Sequence, residues 1–322
     1  MKGDNNYNYY ALQFIPDDKD IYGSSGKWNG RNTWKSWHLI PSSRPVINPP
    51  TIKANYIDIP GGNGTIDAST ILTTYPLYND REGQIEYYVT RDYDSYDSWT
   101  RIYHEVLNYL RGRTFKVIME EDPAHYYRGR VNVNQWKSEK DWSKITLDYH
   151  LEPFKYEVLS SVDRWKWDPF SFIDGVITPE QKRMSSSDPA STVYDEFDLN
   201  NSSRESLTKP IRKGSQTLSI SGTPVEILAR TMPISPTFTI RCLSNIVSGN
   251  SIPLDIYQLR EYSNHYEVIS KNTIEFTNSA AKTVRFYDMN IYDETGIVFF
   301  DHGDQFSNYS FKATINFRRG WL

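Results

Sequence analysis

Apolar residues recur along this chain in two rhythms, and only one stretch keeps the helical one. Trp99, Ile102, Tyr103, Val106, Leu107 and Leu110 fall three and four residues apart, which paints one stripe on a helix from about Ser98 to Arg111. Asp97 or Ser98 can cap its start, and Gly112 stands where a helix turns off. Strands are expected on its C-terminal side at 114–119, 127–136 and 144–152. The last alternates without a break: Ile145, Leu147, Tyr149 and Leu151 face one way, and Lys144, Thr146, Asp148, His150 and Glu152 the other. A sheet packed by a single helix is the economical arrangement.

Before the helix the pattern is less regular. Residues 1–30 are rich in Tyr, Asn and Gly, with one candidate strand at 10–15. Trp34 and Trp37 punctuate a polar run, and Pro41, Pro45, Pro49 and Pro50 then predict an extended arm crossing a surface. Such an arm can lie on a neighbouring subunit or be an ordinary surface loop. Residues 52–59 form a short strand with an imperfect pattern, since Ile52, Ala54 and Tyr56 oppose Ile57 and Ile59. Pro60-Gly61-Gly62-Asn63-Gly64 is a strong turn, and 84–90 is a strand on which Ile85, Tyr87 and Val89 alternate.

The texture changes after Asp163. Residues 164–175 are aromatic and turn-rich and connect to a second domain. Residues 178–209 are polar, with Ser185-Ser186-Ser187 and Asn200-Asn201-Ser202-Ser203, and read as a long loop. From there short strands recur with turns between them and no helical period: 217–221, 224–230, 237–243, 253–259, 265–270, 273–277, 283–292, 296–300 and 309–318. Strands at such spacing predict a β-sandwich. The domains are therefore drawn at 1–165 and 211–322, with 166–210 as the connection.

Composition adds one fact to this picture. Only 38% of residues are hydrophobic, yet 15% are aromatic, including 24 Tyr and 9 Trp. That balance fits sheet packing, or surface buried against partners, or both. The net charge of −4 offers no global basic field for nucleic acid. A single cysteine, Cys242, excludes an internal disulfide, and no Cys/His spacing resembles a zinc site. The first residues lack the apolar core of a signal peptide, and no apolar run approaches the ~20 residues of a membrane span. A soluble protein made in a cytoplasm is expected.

The stretch with the most specific chemistry is Glu121-Asp122-Pro123-Ala124-His125-Tyr126-Tyr127-Arg128-Gly129-Arg130. Asp122-Pro123 is a turn signal. The strand that follows opens with Tyr126 and Tyr127 and sets Arg128 and Arg130 on one face, with Gly129 between them on the other. An arginine pair flanking a glycine marks a surface where another backbone approaches closely and carboxylates or phosphates can be gripped. Elsewhere, Asp301-His302-Gly303-Asp304 has the residue types of a cation site, but an Asp/Gly turn is the commoner outcome. Glu120, Glu121 and Asp122 read as a solvated turn. Cys242 lies in an alternating strand, as a small buried hydrophobe does. No nucleophile elbow, phosphate loop, zinc-protease helix or set carboxylate pair is apparent, so neither catalysis nor a cofactor or metal is expected.

Several short tags, in order, give these stretches a family likeness. Ser42-Ser43-Arg44-Pro45, Ile59-Pro60-Gly61-Gly62-Asn63-Gly64-Thr65-Ile66-Asp67, Tyr78-Asn79-Asp80-Arg81, Leu110-Arg111-Gly112-Arg113, the Asp122–Arg130 stretch and Glu152-Pro153-Phe154-Lys155 together resemble the distal tail (Dit) proteins of siphophages. The ending Asn316-Phe317-Arg318-Arg319-Gly320-Trp321-Leu322 is similar to that family's close. The resemblance implies a tail-tube-like β-sandwich with one helix, followed by a galectin-like sandwich whose last strand either finishes that sandwich or returns to the first domain. It implies a homohexameric ring between the tail tube protein and the tail-tip hub protein, assembled in the bacterial host cytoplasm and carried in the virion. DNA would meet the ring only in passage, and no membrane would be involved. Arg44, Pro60, Gly61, Asp67, Tyr126, Tyr127, Arg128, Gly129 and Arg130 are the candidate ring or interface residues. The competing expectation is a carbohydrate-binding module for host cell-wall sugar. Its second domain would use Tyr257, Tyr262 and Tyr266, because Trp321 is the only tryptophan after Trp167.

Overall fold

The computed structural model describes residues 10–23, 27–71, 75–89, 98–138, 143–158, 160, 176–177, 197–199, 207–220, 222–227, 232–292, 296–306 and 308–322. The chain divides into two compact units, 1–158 with residue 322, and 159–321. Both are built mainly of β-strands.

The first unit contains β1 (Leu12–Pro16), β2 (Arg31–Asn32), α1 (Thr33–Trp37), β3 (Leu39–Pro41), β4 (Tyr56–Asp58), β5 (Thr65–Asp67), β6 (Arg81–Val89), α2 (Ser98–Leu110), β7 (Thr114–Met119), β8 (Asp122–Ser138) and β9 (Ser143–Glu157). Its sheet runs β2-β1-β7-β8-β9-β6-β3, and every described pairing in it is antiparallel. The predicted helix is α2. Ile102, Val106 and Leu110 are its buried positions, and they meet Phe14, Phe115, Val117 and Leu147 in the core. Arg111 and Gly112, at φ 41° and 66°, end it in the left-handed region. A second, shorter helix, α1, was not expected. Asn32 caps it by accepting from the Trp34 and Lys35 amides at 2.9 Å, and Trp37 goes fully into the core. The other face of β1 and β7 carries a smaller cluster, where Ile15, Ile21, Ile118, Tyr126 and Val158 are buried.

The turn expected at Asp122-Pro123 lies two residues earlier, at Glu120-Glu121. Asp122 already pairs with Met119, so β8 starts there. Pro123 is tolerated because the β7–β8 register is irregular at this point. A proline lacks the N–H that a regular ladder would demand, and strand starts and irregularities do not demand it. β9 likewise runs past the predicted Glu152 to Glu157, taking Pro153 into the strand.

The second unit contains β10 (Val176–Ile177), β11 (Phe197–Leu199), β12 (Ile211–Lys213), β13 (Gln216–Leu218), β14 (Thr223–Ile227), β15 (Thr237–Cys242), β16 (Ile252–Glu261), β17 (Tyr266–Phe276), β18 (Lys282–Arg285), β19 (Gly296–Asp301) and β20 (Phe311–Asn316). One sheet runs β10-β14-β19-β16-β17-β12-β13 and the other β11-β20-β15-β18. Val225, Ile256, Phe276 and Phe300 from the first pack against Phe238, Ile240, Phe311 and Ile315 from the second, which is a two-sheet sandwich core. Two strands predicted at 265–270 and 273–277 are one, because Lys271 and Asn272 stay in the ladder; Lys271 pairs with Asp255 at 2.7 Å. The strand expected over 283–292 stops at Arg285, where the chain turns and the Met289 amide bonds the Phe286 carbonyl. β11 falls within the predicted polar loop, and β10 within the stretch leading to it. They pair with β20 and β14. The Asp97 cap and the aromatic connection at 164–175 lie outside the described residues.

Candidate functional site

Residues 42–80 leave the first unit's sheet after β3 and return at β6. Within them β4 and β5 form a two-stranded ladder, Tyr56 opposite Asp67 and Asp58 opposite Thr65, around the predicted turn. Gly61 and Gly64 take φ 75° and 86° there, which a side chain rarely adopts. Below the ladder the two legs remain joined. Ile52 bridges Tyr78, the Lys53 amide bonds the Leu77 carbonyl, and the Asn79 amide bonds the Thr51 carbonyl, both at 2.8 Å. The described parts of the segment therefore form a two-legged ribbon. Asp67 closes its inner end by accepting from the Ser69 amide at 2.9 Å, and the hydrogen bonds from Ser69 hold its carboxyl below the usual range.

Every residue from 51 to 67 is exposed. Ile57 and Ile66 are cross-strand partners and share one face, 51% and 57% exposed. The other face carries Tyr56, 62% exposed, among Asp58, Thr65 and Asp67, and Ile71 beyond the ladder is 76% exposed. A two-stranded hairpin with no packed face is marginal in water, and contiguous exposed isoleucine marks a contact surface. The imperfect alternation of 52–59, which sets Ile57 and Ile59 on the same side, was the sequence signal for the apolar face. Pro60 and Gly61 are the exposed tip.

The arginine stretch behaves differently. Arg128 donates through Nε and Nη2 to both carboxylate oxygens of Asp17, at 2.9 and 2.7 Å, and through Nη1 to Glu152. Glu152 also accepts from the Tyr156 hydroxyl, and Tyr156 stacks on buried Tyr126 at 5.5 Å. The hydrogen bond from Arg128 holds the Asp17 carboxyl below the usual range, while burial and then the Glu152 carboxylate push the Tyr156 hydroxyl up. Arg130 donates to the Gly112 carbonyl at 2.8 Å, and Arg44 to Glu121 at 3.0 and 3.1 Å. Asp122 bonds His125 and Lys155, each at 2.7 Å. The close backbone that Gly129 foretold is its own β9: a Cβ at 129 would overlap the His150 carbonyl and the Leu151 Cα. Tyr127 lies under the Arg81 guanidinium, 5.4 Å from its ring centre.

In the second unit Tyr257 and Tyr266 are buried in a small outer cluster with Leu259 and Phe299, and only Tyr262 of the proposed sugar platform is exposed, stacked on His265 at 5.0 Å. Asp301 accepts from the Gly303 amide, as a turn-forming aspartate does, and His302 is buried against Phe311. Cys242 is buried in β15, and burial pushes its thiol up.

No protein-family model and no curated protein matches the chain. Among solved structures it is similar to SPP1 Dit (gp 19.1), whose crystal structure is described as a paradigm of the hub adsorption apparatus in phages that infect Gram-positive hosts. The alignment covers 97% of this chain and 99% of that one, with 12% identity and a TM-score of 0.49.

Proposed function

We propose that the chain is a structural protein of a phage tail tip, a distal tail protein whose copies close into a ring of six. One face of the ring would seat on the last ring of tube protein and the other on the hub protein, leaving a lumen for DNA. The carrying observation is the ribbon. Residues 51–67 are exposed throughout, with Ile57 and Ile66 paired on one face of the ladder and Tyr56 on the other, so the segment lacks a core of its own. A second copy of the same chain is its occupant in this reading. A head-to-tail contact, repeated, closes a ring without any further component. The order of the family-like tags from Ser42 to Lys155 and the two-unit, mainly β architecture support the same reading. In this account the protein works by assembly geometry, in the virion, without turnover, cofactor or membrane. The galectin-like identity of the second unit and its use as a linker to the tip belong to the same proposal.

Electron microscopy of the purified full chain tests it. Rings of six copies with a central opening are expected. Uniform single particles at micromolar concentration would contradict it.

A further inference from the structure

The ribbon leaves the sheet at a joint whose chemistry is unusual for a small β unit. Arg81, the first residue of β6, is only 4% exposed, yet no carboxylate lies within ion-pair distance of it among the described residues. Its Nε donates to the Pro153 carbonyl of β9 at 2.8 Å and its Nη1 to the Asn48 carbonyl of the outgoing leg at 3.0 Å. Its Nη2 is buried with no hydrogen-bond partner among the described residues. Burial pulls the guanidinium below its usual range, the direction expected of a desolvated cation. A buried charge without a counter-charge costs stability, and an apolar side chain of the same volume would fill the space more cheaply. Packing alone therefore does not explain an arginine here.

The guanidinium fork does explain it, because it holds two separate backbones at a fixed angle. Asn48 is engaged on three sides: its carbonyl by Arg81, its amide by the Tyr149 hydroxyl at 2.9 Å, and its side-chain Nδ2 by the Glu82 carbonyl at 2.8 Å. Gly83 makes room for this, since a Cβ there would overlap the Tyr149 hydroxyl and crowd Asn48 Nδ2. On the returning leg Tyr78 packs edge-on against Phe154 at 5.8 Å.

We infer that Arg81, Asn48 and Tyr149 form a latch that fixes the direction in which the ribbon leaves the sheet, so that Arg81 is a positioning residue for assembly. The latch rests on the reading of the ribbon as the assembly arm only for its purpose, not for its existence. It shifts the entropic cost of orienting the arm from the moment of docking to the moment of folding.

The test uses Arg81→Lys, which keeps the charge but not the two-way fork, and Tyr149→Phe, which removes only the hydroxyl. Both are made in the full chain carrying Ile57→Asp and Ile66→Asp, so that the ribbon is examined without a partner. Hydrogen exchange is followed in peptides spanning 50–56 and 75–80, which contain the Lys53 and Asn79 stem amides. Exchange about tenfold faster there, with β7, β8 and β9 unchanged, is expected. Unchanged ribbon exchange in both variants overturns the latch, and so does an equal acceleration throughout the sheet, which would mean a purely structural role. If Arg81→Lys does not fold, Tyr149→Phe decides by the same criteria. The same two substitutions in the otherwise native chain should weaken self-association about tenfold. Faster ribbon exchange with undiminished association would leave the latch standing and remove the ribbon from the assembly contact.

Discussion

The ribbon and the Arg128 patch are both surfaces of one small unit, and they have opposite relations to solvent. The patch is rich in charge, but its charges are met within the chain: Arg128 by Asp17 and Glu152, Arg130 by the Gly112 carbonyl, and Asp122 by His125 and Lys155. The ladder at the ribbon's outer end has few charges, and its Tyr56, Ile57 and Ile66 are each more than half exposed. The contrast teaches that arginines near a glycine can find their partners within the chain, in carboxylates from distant segments. An exposed isoleucine pair on one face of a hairpin has no such partner on offer, because water gives it no compensation.

The contrast can be broken first at the ribbon. Ile57→Asp with Ile66→Asp should weaken self-association at least ~100-fold, since each buried isoleucine contributes about 2 kcal/mol. Circular dichroism and thermal melting should stay close to native, because neither residue belongs to a core cluster. A lowered melting temperature with intact association would reverse the two roles. Next comes Gly129→Ala in the patch. The added Cβ meets the β9 backbone, not a movable side chain, so a loss of about 2–4 kcal/mol in urea unfolding is expected.

Arg128→Ala should cost less, about 1–2 kcal/mol, because the side chain is 42% exposed and solvent screens part of the attraction. Association should be unaffected wherever the variant is folded, and a selective loss of association would restore Arg128 to the interface. The same network gives a pH dependence. The hydrogen bond from Arg128 depresses Asp17; for Asp122, burial pushes the carboxyl up, but the hydrogen bonds from His125 and Lys155 outweigh it and the net shift is downward. A carboxyl depressed in the folded state stabilises above its unfolded value, about 3.9, and that stability is lost as pH falls through the folded value. Unfolding free energy should therefore decline below about pH 4, and Arg128→Ala should flatten the part of the slope due to Asp17. An identical acid slope in the two proteins would contradict the pairing. The smallest effect belongs to Arg44→Ala: the side chain is 67% exposed, so its bond to Glu121 should be worth under about 0.5 kcal/mol.

Much of the first unit was legible because its strongest patterns are local. The α2 stripe and the unbroken alternation of β9 needed no partner to be read, and both sit as expected. The glycine at 129 announced a close backbone, though not whose. What the sequence could not supply were partners far along the chain. Asp17 is 111 residues from Arg128, and no period links them. Arg81 was visible only as part of a tag, since charged side chains are mostly exposed and nothing local foretells a buried one. β10 and β11, two and three residues long, carry too few positions to show any alternation. The ribbon was read as an ordinary short strand plus a turn, because an isoleucine face signals exposure only once the core is known to lie elsewhere.

The central claim, that the ribbon joins copies of this chain, is tested most directly by sedimentation equilibrium of the native chain beside the Ile57→Asp, Ile66→Asp variant. The native chain should sediment as six copies and the variant as one, 37.6 kDa. A single-chain mass for the native protein, or the same assembly for both, would contradict the account.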